Sequence, residues 1–479
     1  MKKIRIFPLI LLICLLFSVL APSAAALDEP EVDALAVVLA DLDSGEVLFS
    51  RTADEQRSPA SLTKIMTALL TVEAIERGEC SLDDMITAAE DCRNGLEDDS
   101  STANIQYGEI MSLKDVLYCA MVNSANEACN VLARHVSGSI AAFIDLMNQR
   151  AAELGCQGTH FADPNGLSNE NHYSTASDLC LITREALRHP LFAEVCNTVY
   201  YETAPTNLSD VRRMANSNAL IAADSIYSEG HSYLYEGAFG VKTGYTRLAG
   251  YCLVSTAERS GVRLLAVVMG CDGQLNSNSD QFGNFVDSIA LYDWAFANYS
   301  YREVVPSGRE ITRVNVALSK DDSSVALRTE NALTLLLPND LPEESIQLDT
   351  YVDESKLIAP LSAGTVLGEL TVRVDGEVRG RIRLVNSAEV QLSRSALMRQ
   401  KLQSFFGKTW LKVLLLVVLV LLTLYFVLVA RYRAMRKRYL REKKQAELRR
   451  RQEAERRARQ RRADVPDFSD EEWDKYFKE

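Results

Sequence analysis

A long apolar run near the C-terminus constrains this chain more than any other feature. Residues 410–430 are almost wholly apolar, and a helix of this length can cross a bilayer. Cations follow at once, at positions 431, 433, 436, 437 and 438. Because cytoplasmic flanks are rich in Lys and Arg, the sequence predicts one span with residues 431–479 as a basic cytoplasmic tail. The body before the span is then extracytoplasmic.

The N-terminus also predicts export. Lys2, Lys3 and Arg5 precede an apolar stretch, and small residues at 24–26 offer a cleavage site. This order is typical of a secretory signal peptide, here residues 1–26. An uncleaved anchor is the alternative, which Pro8 and the short apolar stretch disfavour.

Charge is distributed unevenly along the chain. The net charge is −13, yet residues 431–462 hold sixteen Lys and Arg against four Glu. The body before the span is therefore acidic, which argues against nucleic acid as its partner. The basic segment orients the span, and it either lies along anionic lipid or stays solvated.

Cysteine usage leaves the redox state open. Once Cys14 leaves with the signal peptide nine cysteines remain, an odd number, so at least one has no intrachain disulfide. Cys252 and Cys271 could face each other on neighbouring strands, whereas a reducing exterior would leave only buried thiols. No Cys/His cluster has zinc spacing, and the sequence calls for neither a metal nor a cofactor.

Apolar periodicity divides the body into two domains. Residues 27–301 combine helices with antiparallel strands, which predicts an α+β domain. Residues 302–395 alternate in a strand-like manner and predict a small all-β domain, with 396–409 as a linker to the span at 410–430. In the first domain a hairpin is predicted at 34–50, helices at 59–78, 112–121, 127–136, 140–154, 175–187 and 291–298, and strands at 239–245, 250–255 and 263–269.

A serine and a lysine stand three residues apart in the segment SPASLTK, at Ser61 and Lys64. Proline suits the first turn of a helix, so a helix is predicted to begin near Pro59. The spacing then places both side chains on one face, where Lys64 could take the hydroxyl proton of Ser61. Alone, the pair is a weak signal, because a capping serine and a surface lysine with this spacing are common in helices.

Two further motifs follow in the same domain, Ser124-x-Asn126 and Lys242-Thr243-Gly244. Together with the first pair they form the motif set of serine β-lactamases and penicillin-binding proteins. The chain resembles the low-molecular-mass penicillin-binding proteins, specifically the serine-type D-alanyl-D-alanine carboxypeptidases, and the stretches SLTKIMT, DPNGL, VKTGYT and AGY carry the same resemblance. It implies the penicillin-binding/β-lactamase-like fold, an antiparallel sheet flanked by helices, followed by the small all-β domain and one C-terminal transmembrane helix.

The resemblance implies a serine acyl-enzyme mechanism on peptidoglycan stem peptides. In it, Ser61 attacks the carbonyl between the last two D-alanines, and Lys64 takes its proton. Ser124 relays that proton to the leaving amine. Penicillins and other β-lactams are then expected as covalent inhibitors.

The same resemblance implies a set of substrate-binding groups. Asn126 would hold the substrate backbone amide, and Lys242 with Thr243 would bind the terminal carboxylate. Gly244 would leave room for a peptide beside the strand. The N–H groups of Ser61 and Tyr245 would form the oxyanion hole.

One departure from the family concerns the carboxylate. The family usually has an arginine after the third strand, yet residues 270–287 contain none, and Arg247 is a possible substitute. His160 and His172 are expected to be structural. A β-lactamase is the nearest alternative enzyme, but residues 155–185 lack an E-x-x-x-N motif. A catalytically idle penicillin-binding sensor is the other alternative, which the complete motif set argues against.

Overall fold

The computed structural model divides into two compact units. The predicted signal peptide and residues 464–479 lie outside the part that it describes, which comprises residues 28–96, 100–167, 170–228, 230–274, 280–320 and 324–463. The first unit is Met1–Arg309, Asn331–Thr350 and Leu370–Ile382, and the second is Glu310–Glu330, Tyr351–Glu369 and Arg383–Glu479.

A five-stranded antiparallel sheet forms the centre of the first unit. Its strands are β1 (Ala36–Asp41), β2 (Val47–Arg51), β7 (Ala238–Thr246), β8 (Gly250–Arg259) and β9 (Val262–Cys271). Their order is β2-β1-β9-β8-β7, so β7 is an edge strand. Because successive side chains point to opposite faces, β1 places Val38 in one apolar core and Val37 in a second core. The first unit also has two two-stranded antiparallel sheets, in which β3 (Met85–Thr87) pairs with β4 (Ile110–Ser112) and β5 (Tyr200–Glu202) pairs with β6 (Arg213–Ala215).

Helices cover both faces of this sheet. The helices are α1 (Lys64–Glu76), α2 (Leu113–Met121), α3 (Asn126–Ser137), α4 (Ile140–Glu153), α5 (Ala176–Ala186), α6 (Pro190–Cys196) and α7 (Gly283–Asn298). One core contains side chains of the helices α1 to α6, and the other contains Phe285, Leu291 and Tyr292 of α7.

Local capping explains why the predicted helix boundaries are nearly correct. The hydroxyls of Ser112, Ser139 and Thr175 accept backbone N–H bonds at the starts of α2, α4 and α5. Gly138 ends α3 in the left-handed conformation, at φ +80°. These four predicted helices, 112–121 through 175–187, are confirmed.

The last helix of the first unit was predicted too short. It was expected over 291–298, but α7 begins at Gly283. Its first turns carry buried polar side chains, which hide the apolar periodicity. Asp287 accepts the N–H of Ala34 at 2.7 Å, and the Ser288 hydroxyl donates to the Asn284 carbonyl at 2.7 Å.

The cysteines are thiols throughout the described residues, where no disulfide forms. Cys252 and Cys271 lie on β8 and β9, yet they belong to the two different cores on opposite faces of the sheet. They therefore do not face each other, and the pairing considered from the sequence is wrong.

The all-β prediction for the C-terminal part is confirmed. Its strands are β10 (Tyr299–Val305), β11 (Glu310–Asn315), β12 (Ser324–Thr329), β13 (Leu333–Pro338), β14 (Ile346–Val352), β15 (Val366–Val374) and β16 (Glu377–Asn386). Strand β10 pairs with β13, and the other five form a sheet of order β11-β12-β16-β15-β14.

Two consecutive helices end the described chain. The predicted linker is helical, because Arg394–Gly407 forms α8 with Ser393 as its N-cap. Helix α9 (Thr409–Ala463) then contains both the apolar run and the basic segment. Among the described residues, Thr409–Arg461 is the one stretch of helix long and apolar enough to cross a membrane.

Candidate active site

The predicted nucleophile lies in a tight turn immediately before α1. Residues Ala60–Thr63 form a 3₁₀ turn, so the α-helix begins at Lys64 and not near Pro59 as predicted. The Ser61 hydroxyl nevertheless lies 2.6 Å from the Lys64 ammonium, which donates to it. The contact expected from their spacing is present.

Lys64 is fully buried and is surrounded by oxygen acceptors. Its Nζ donates to Ser61 Oγ and Asn126 Oδ1, both at 2.6 Å, and to the Asn165 carbonyl at 2.8 Å. Burial lowers the pKa of Lys64, because removal from water disfavours the charged form. A neutral amine beside a serine hydroxyl can act as its general base.

The second motif lies between α2 and α3. Ser124 is 6% exposed and has φ +59°, a left-handed conformation that is strained for a residue with a Cβ. Asn126 begins α3, and its N–H donates to the Ser101 carbonyl at 3.0 Å. Its side-chain oxygen contacts Lys64, so this motif is joined to the first through the lysine.

The third motif lies on the edge strand β7. Lys242 is 1% exposed and its Nζ donates to the Thr243 carbonyl at 3.1 Å. Burial, followed by the positive charge of Lys64, holds the pKa of Lys242 well below its ordinary value. The Thr243 hydroxyl lies 2.6 Å from the Ser217 hydroxyl.

Comparison with known proteins shows which family contains this arrangement of residues. Residues 23–273 match the family model described as D-alanyl-D-alanine carboxypeptidase. The chain belongs to the D-alanyl-D-alanine carboxypeptidase family. Residues 299–392 match a second model, the C-terminal domain of penicillin-binding protein 5.

Individual relatives cover most of this carboxypeptidase. The D-alanyl-D-alanine carboxypeptidase DacF of Bacillus subtilis is 30% identical, over 77% of this chain and 90% of the relative. DacC of Escherichia coli is also 30% identical, over 81% and 91%. Penicillin-binding protein 5 of Haemophilus influenzae is similar in structure, with a TM-score of 0.59, 28% identity and coverage of 76% and 99%. The activity is that of a serine D-alanyl-D-alanine carboxypeptidase, and the β-lactamase and idle-sensor alternatives are disfavoured.

Gly244 has a structural reason in addition to the peptide-binding role predicted for it. A Cβ at this position would lie 3.1 Å from the Pro59 carbonyl oxygen and 3.2 Å from the Ser61 nitrogen. Contacts this short are tighter than ordinary packing allows, so glycine lets β7 approach the nucleophile turn. Tyr245 packs against Tyr251, with ring centroids 4.4 Å apart.

Sequence reasoning missed two groups in the carboxypeptidase site. Asn165, whose carbonyl accepts from Lys64, lies in the DPNGL stretch, where Asp163 accepts the Asn165 N–H at 3.0 Å. An Asp-Pro-Asn-Gly turn is recognisable in sequence, but its contact with Lys64 is not. Ser217, the partner of Thr243, had no sequence signal at all.

The structure also places two further side chains that were considered from the sequence, His172 and Arg247. His172 Nε2 is 2.7 Å from the Thr63 hydroxyl, so this buried histidine supports the helix start beside Ser61. Arg247 is exposed just after the end of β7 at Thr246.

Proposed function

We propose that this carboxypeptidase trims peptidoglycan stem peptides through an acyl-enzyme on Ser61. Ser61 Oγ forms a bond to the carbonyl carbon between the last two D-alanines, and Lys64 accepts its proton. The C–N bond then breaks, Ser124 delivers a proton to the leaving D-alanine amine, and water hydrolyses the ester. The observation that carries the proposal is the 2.6 Å contact of Ser61 with a buried lysine of lowered pKa.

Substrate binding is assigned to the remaining motif residues. Asn126 binds the substrate backbone amide, while Lys242 and Thr243 bind the terminal carboxylate. The N–H groups of Ser61 and Tyr245 bind the developing oxyanion, where donors fixed in advance are most effective. Gly244 supports this geometry by bringing β7 beside the nucleophile turn.

β-Lactams are proposed to acylate the same serine and to leave slowly. Labelling with a fluorescent penicillin, followed by timing of its release, tests the proposed function. A long-lived label together with D-alanine release from a pentapeptide supports it. Rapid turnover of the label would indicate a β-lactamase instead, and an absence of label would indicate an idle scaffold.

Membrane anchoring follows from the apolar part of α9, and its orientation is part of this proposal. Residues 410–430 cross the membrane once, residues 27–301 and 302–395 are extracytoplasmic domains, and 431–479 are cytoplasmic. The cations directly after the span support this orientation. The signal peptide is proposed to end at residue 26.

A further inference from the structure

Two asparagines on α3 lie on the same face of the helix and connect it to Lys64. Asn126 and Asn130 are four residues apart, which places their side chains on one face. The Asn126 side-chain oxygen accepts from Lys64 directly, at 2.6 Å. Asn130 is 2% exposed, and its side-chain oxygen accepts from the Asn165 side-chain amide at 3.3 Å. The backbone carbonyl of Asn165 accepts from Lys64 at 2.8 Å, so α3 reaches the lysine by two routes.

The side-chain amide of Asn130 is fixed in one orientation. Its nitrogen donates to the Cys92 carbonyl at 3.0 Å and to the Asn94 carbonyl at 3.2 Å, at the end of a 3₁₀ turn formed by Glu90–Arg93. An inverted amide would turn its oxygen toward these two carbonyl oxygens and its nitrogen toward the Asn165 amide nitrogen. Because the inversion would lose all of these hydrogen bonds in a buried place, the Asn130 oxygen stays directed at Asn165.

The side chain of Asn165 is held at both of its polar ends. Its nitrogen donates to Asn130, and its oxygen accepts the Leu167 N–H at 3.2 Å. Asn165 is also buried, at 3% exposure. A buried residue that is fixed through its side chain has little freedom to move its backbone carbonyl. Asn130 therefore helps to determine where the Asn165 carbonyl meets Lys64.

The position of the Asn165 carbonyl determines where a neutral Lys64 directs its lone pair. A neutral amine has two N–H donors and one lone pair. The Asn126 side-chain oxygen and the Asn165 carbonyl can only accept, so each takes one N–H. The remaining neighbour, the Ser61 hydroxyl, can donate, so the lone pair is left facing it. A displaced Asn165 carbonyl would let the amine rotate and direct its lone pair elsewhere.

We propose that Asn130 is a positioning residue for acylation, because it fixes the carbonyl that directs the lone pair of Lys64 at the Ser61 hydroxyl. The inference rests on the proposed function, in which Lys64 takes the Ser61 proton. The hydrogen bonds described for the Asn130 side chain go to Cys92, Asn94 and Asn165, so it acts on the lysine through Asn165. Its effect should therefore fall on the rate of acylation and not on binding.

Acylation kinetics of the full-length protein in detergent test this proposal. Asn130→Val replaces the amide with a side chain that cannot hydrogen-bond, which removes the link to Asn165. We expect the acylation rate constant at saturating penicillin to fall about 10-fold, a part of the roughly 10²–10⁴-fold that a positioned base contributes. The dissociation constant of the non-covalent penicillin complex should stay within about 2-fold of wild type. The label formed after long incubation measures the folded fraction.

A pH profile separates this role from a purely structural one. The Asn165 carbonyl stabilises the charged form of Lys64, so its displacement should lower the pKa of Lys64 further. In Asn130→Val the rise of acylation rate with pH should then move to lower pH and end at a lower plateau. The variant keeps the other titratable side chains that influence Lys64, which are Cys129 and Glu127 on α3, Asp163 and, on β7, Lys242.

Asn165→Ala interrupts the same link from its other end. It removes the side-chain amide but keeps the backbone carbonyl, and its loss of acylation rate should resemble that of Asn130→Val. The double variant should be little slower than either single variant, because both changes remove one interaction. Should Asn130→Val fail to fold, the rate constant and pH profile of Asn165→Ala decide the proposal.

Asn386→Val is the matched control for the loss of a buried amide. Asn386 is also 2% exposed, and its side-chain oxygen accepts the Thr365 N–H at 2.6 Å within the second unit. Its acylation rate constant and pH profile should match those of wild type.

Three outcomes would overturn the role of Asn130. One is an unchanged acylation rate constant in Asn130→Val, and another is a pair of losses that multiply in the double variant. The third is a smaller labelled fraction whose rate constant and pH dependence match wild type, as expected of a residue that only supports the fold. Failure of the proposed function looks different, because wild-type protein would then neither release D-alanine nor become acylated at Ser61.

Discussion

The Ser61 site and helix α9 carry positive charge in opposite ways. In the site, Lys64 and Lys242 are at most 1% exposed, and burial lowers the pKa of both amines. In α9, the described cations after Ala430 are exposed to solvent. A buried ammonium requires partners or the loss of its proton, whereas an exposed one requires neither.

The buried amines of the site are suited to chemistry, whereas the exposed cations of α9 are suited to placing the chain at a membrane. The three acceptors around Lys64 hold the amine against Ser61, where loss of its proton makes it a base. A cation on an exposed helix gains little free energy from any single partner. Many such cations together can orient the span and attract the segment to anionic lipid. A single substitution should therefore be severe in the site and nearly silent in α9.

The largest expected effect is at Ser61, the proposed nucleophile. Ser61→Ala should abolish both D-alanine release and covalent penicillin labelling, because the atom that forms the acyl bond is removed. Ser58→Ala, three residues earlier in the same segment, is the matched control. Mass spectrometry of the penicillin-treated protein measures the adduct. Persistence of the adduct in Ser61→Ala would show that another residue is the nucleophile.

The orientation of α9 can be tested just as directly, by protease protection of the segment after the span. An epitope placed after Arg433 should be spared when protease is added to intact cells, while the part before the span is digested. Permeabilised cells provide the control in which the epitope is digested as well. Digestion of the epitope in intact cells would reverse the proposed topology.

The proposed general base, Lys64, comes next in magnitude. Lys64→Ala should slow acylation by at least about 10²-fold, the usual scale for a positioned base. Because its pKa is lowered and the neutral amine is the active form, the wild-type acylation rate should rise with pH through that pKa. The rising limb should disappear in Lys64→Ala and persist in the exposed-lysine control Lys114→Ala. If Lys64→Ala retained the rise of acylation rate with pH, that rise would come from the titration of another group.

Lys242 should matter for the substrate carboxylate despite its burial. Lys242→Ala is expected to cost about 3 kcal/mol in kcat/KM, the scale of leaving a buried charge without its partner. Amidating the peptide C-terminus should lower the rate in wild type but add little to the loss in Lys242→Ala, because both changes remove one interaction. If the two losses simply add, another cation holds the carboxylate, and Arg247→Ala is the next variant to measure.

Sequence reasoning succeeded where the signal is local. The Ser61–Lys64 spacing and the residues of each of the three motifs lie in short segments. Periodicity was enough to predict the helices and strands, whereas the roles of the three motifs were implied by the resemblance to the carboxypeptidase family. The antiparallel sheet and the all-β C-terminal part were predictable for the same reason.

The misses share a different physical cause. Asn165 and Ser217 enter the site through contacts with residues 101 and 26 positions away in sequence, which no local pattern encodes. Helix α7 was shortened in the prediction because Asp287 and Ser288 are buried and polar, which breaks its apolar period. The packing role of Gly244 was missed because the close approach of Pro59 is a tertiary contact.

The smallest expected effect tests that close approach. In Gly244→Ala the new methyl group meets the Pro59 carbonyl and the Ser61 nitrogen, so β7 must move away from the nucleophile turn. Overpacking of this kind costs about 1–3 kcal/mol, and we expect penicillin acylation to slow about 10-fold as the two sides of the site separate.

Gly261→Ala is the contrasting control for Gly244→Ala. It lies in the turn between β8 and β9 at φ +82°, with open space where the new methyl group would lie, so alanine there strains the backbone without touching the site. Thermal unfolding should detect a loss of about 1 kcal/mol in Gly261→Ala, with acylation unchanged. If Gly244→Ala behaves in the same way, losing stability but not acylation rate, then the approach of β7 to Ser61 serves the fold and not the reaction.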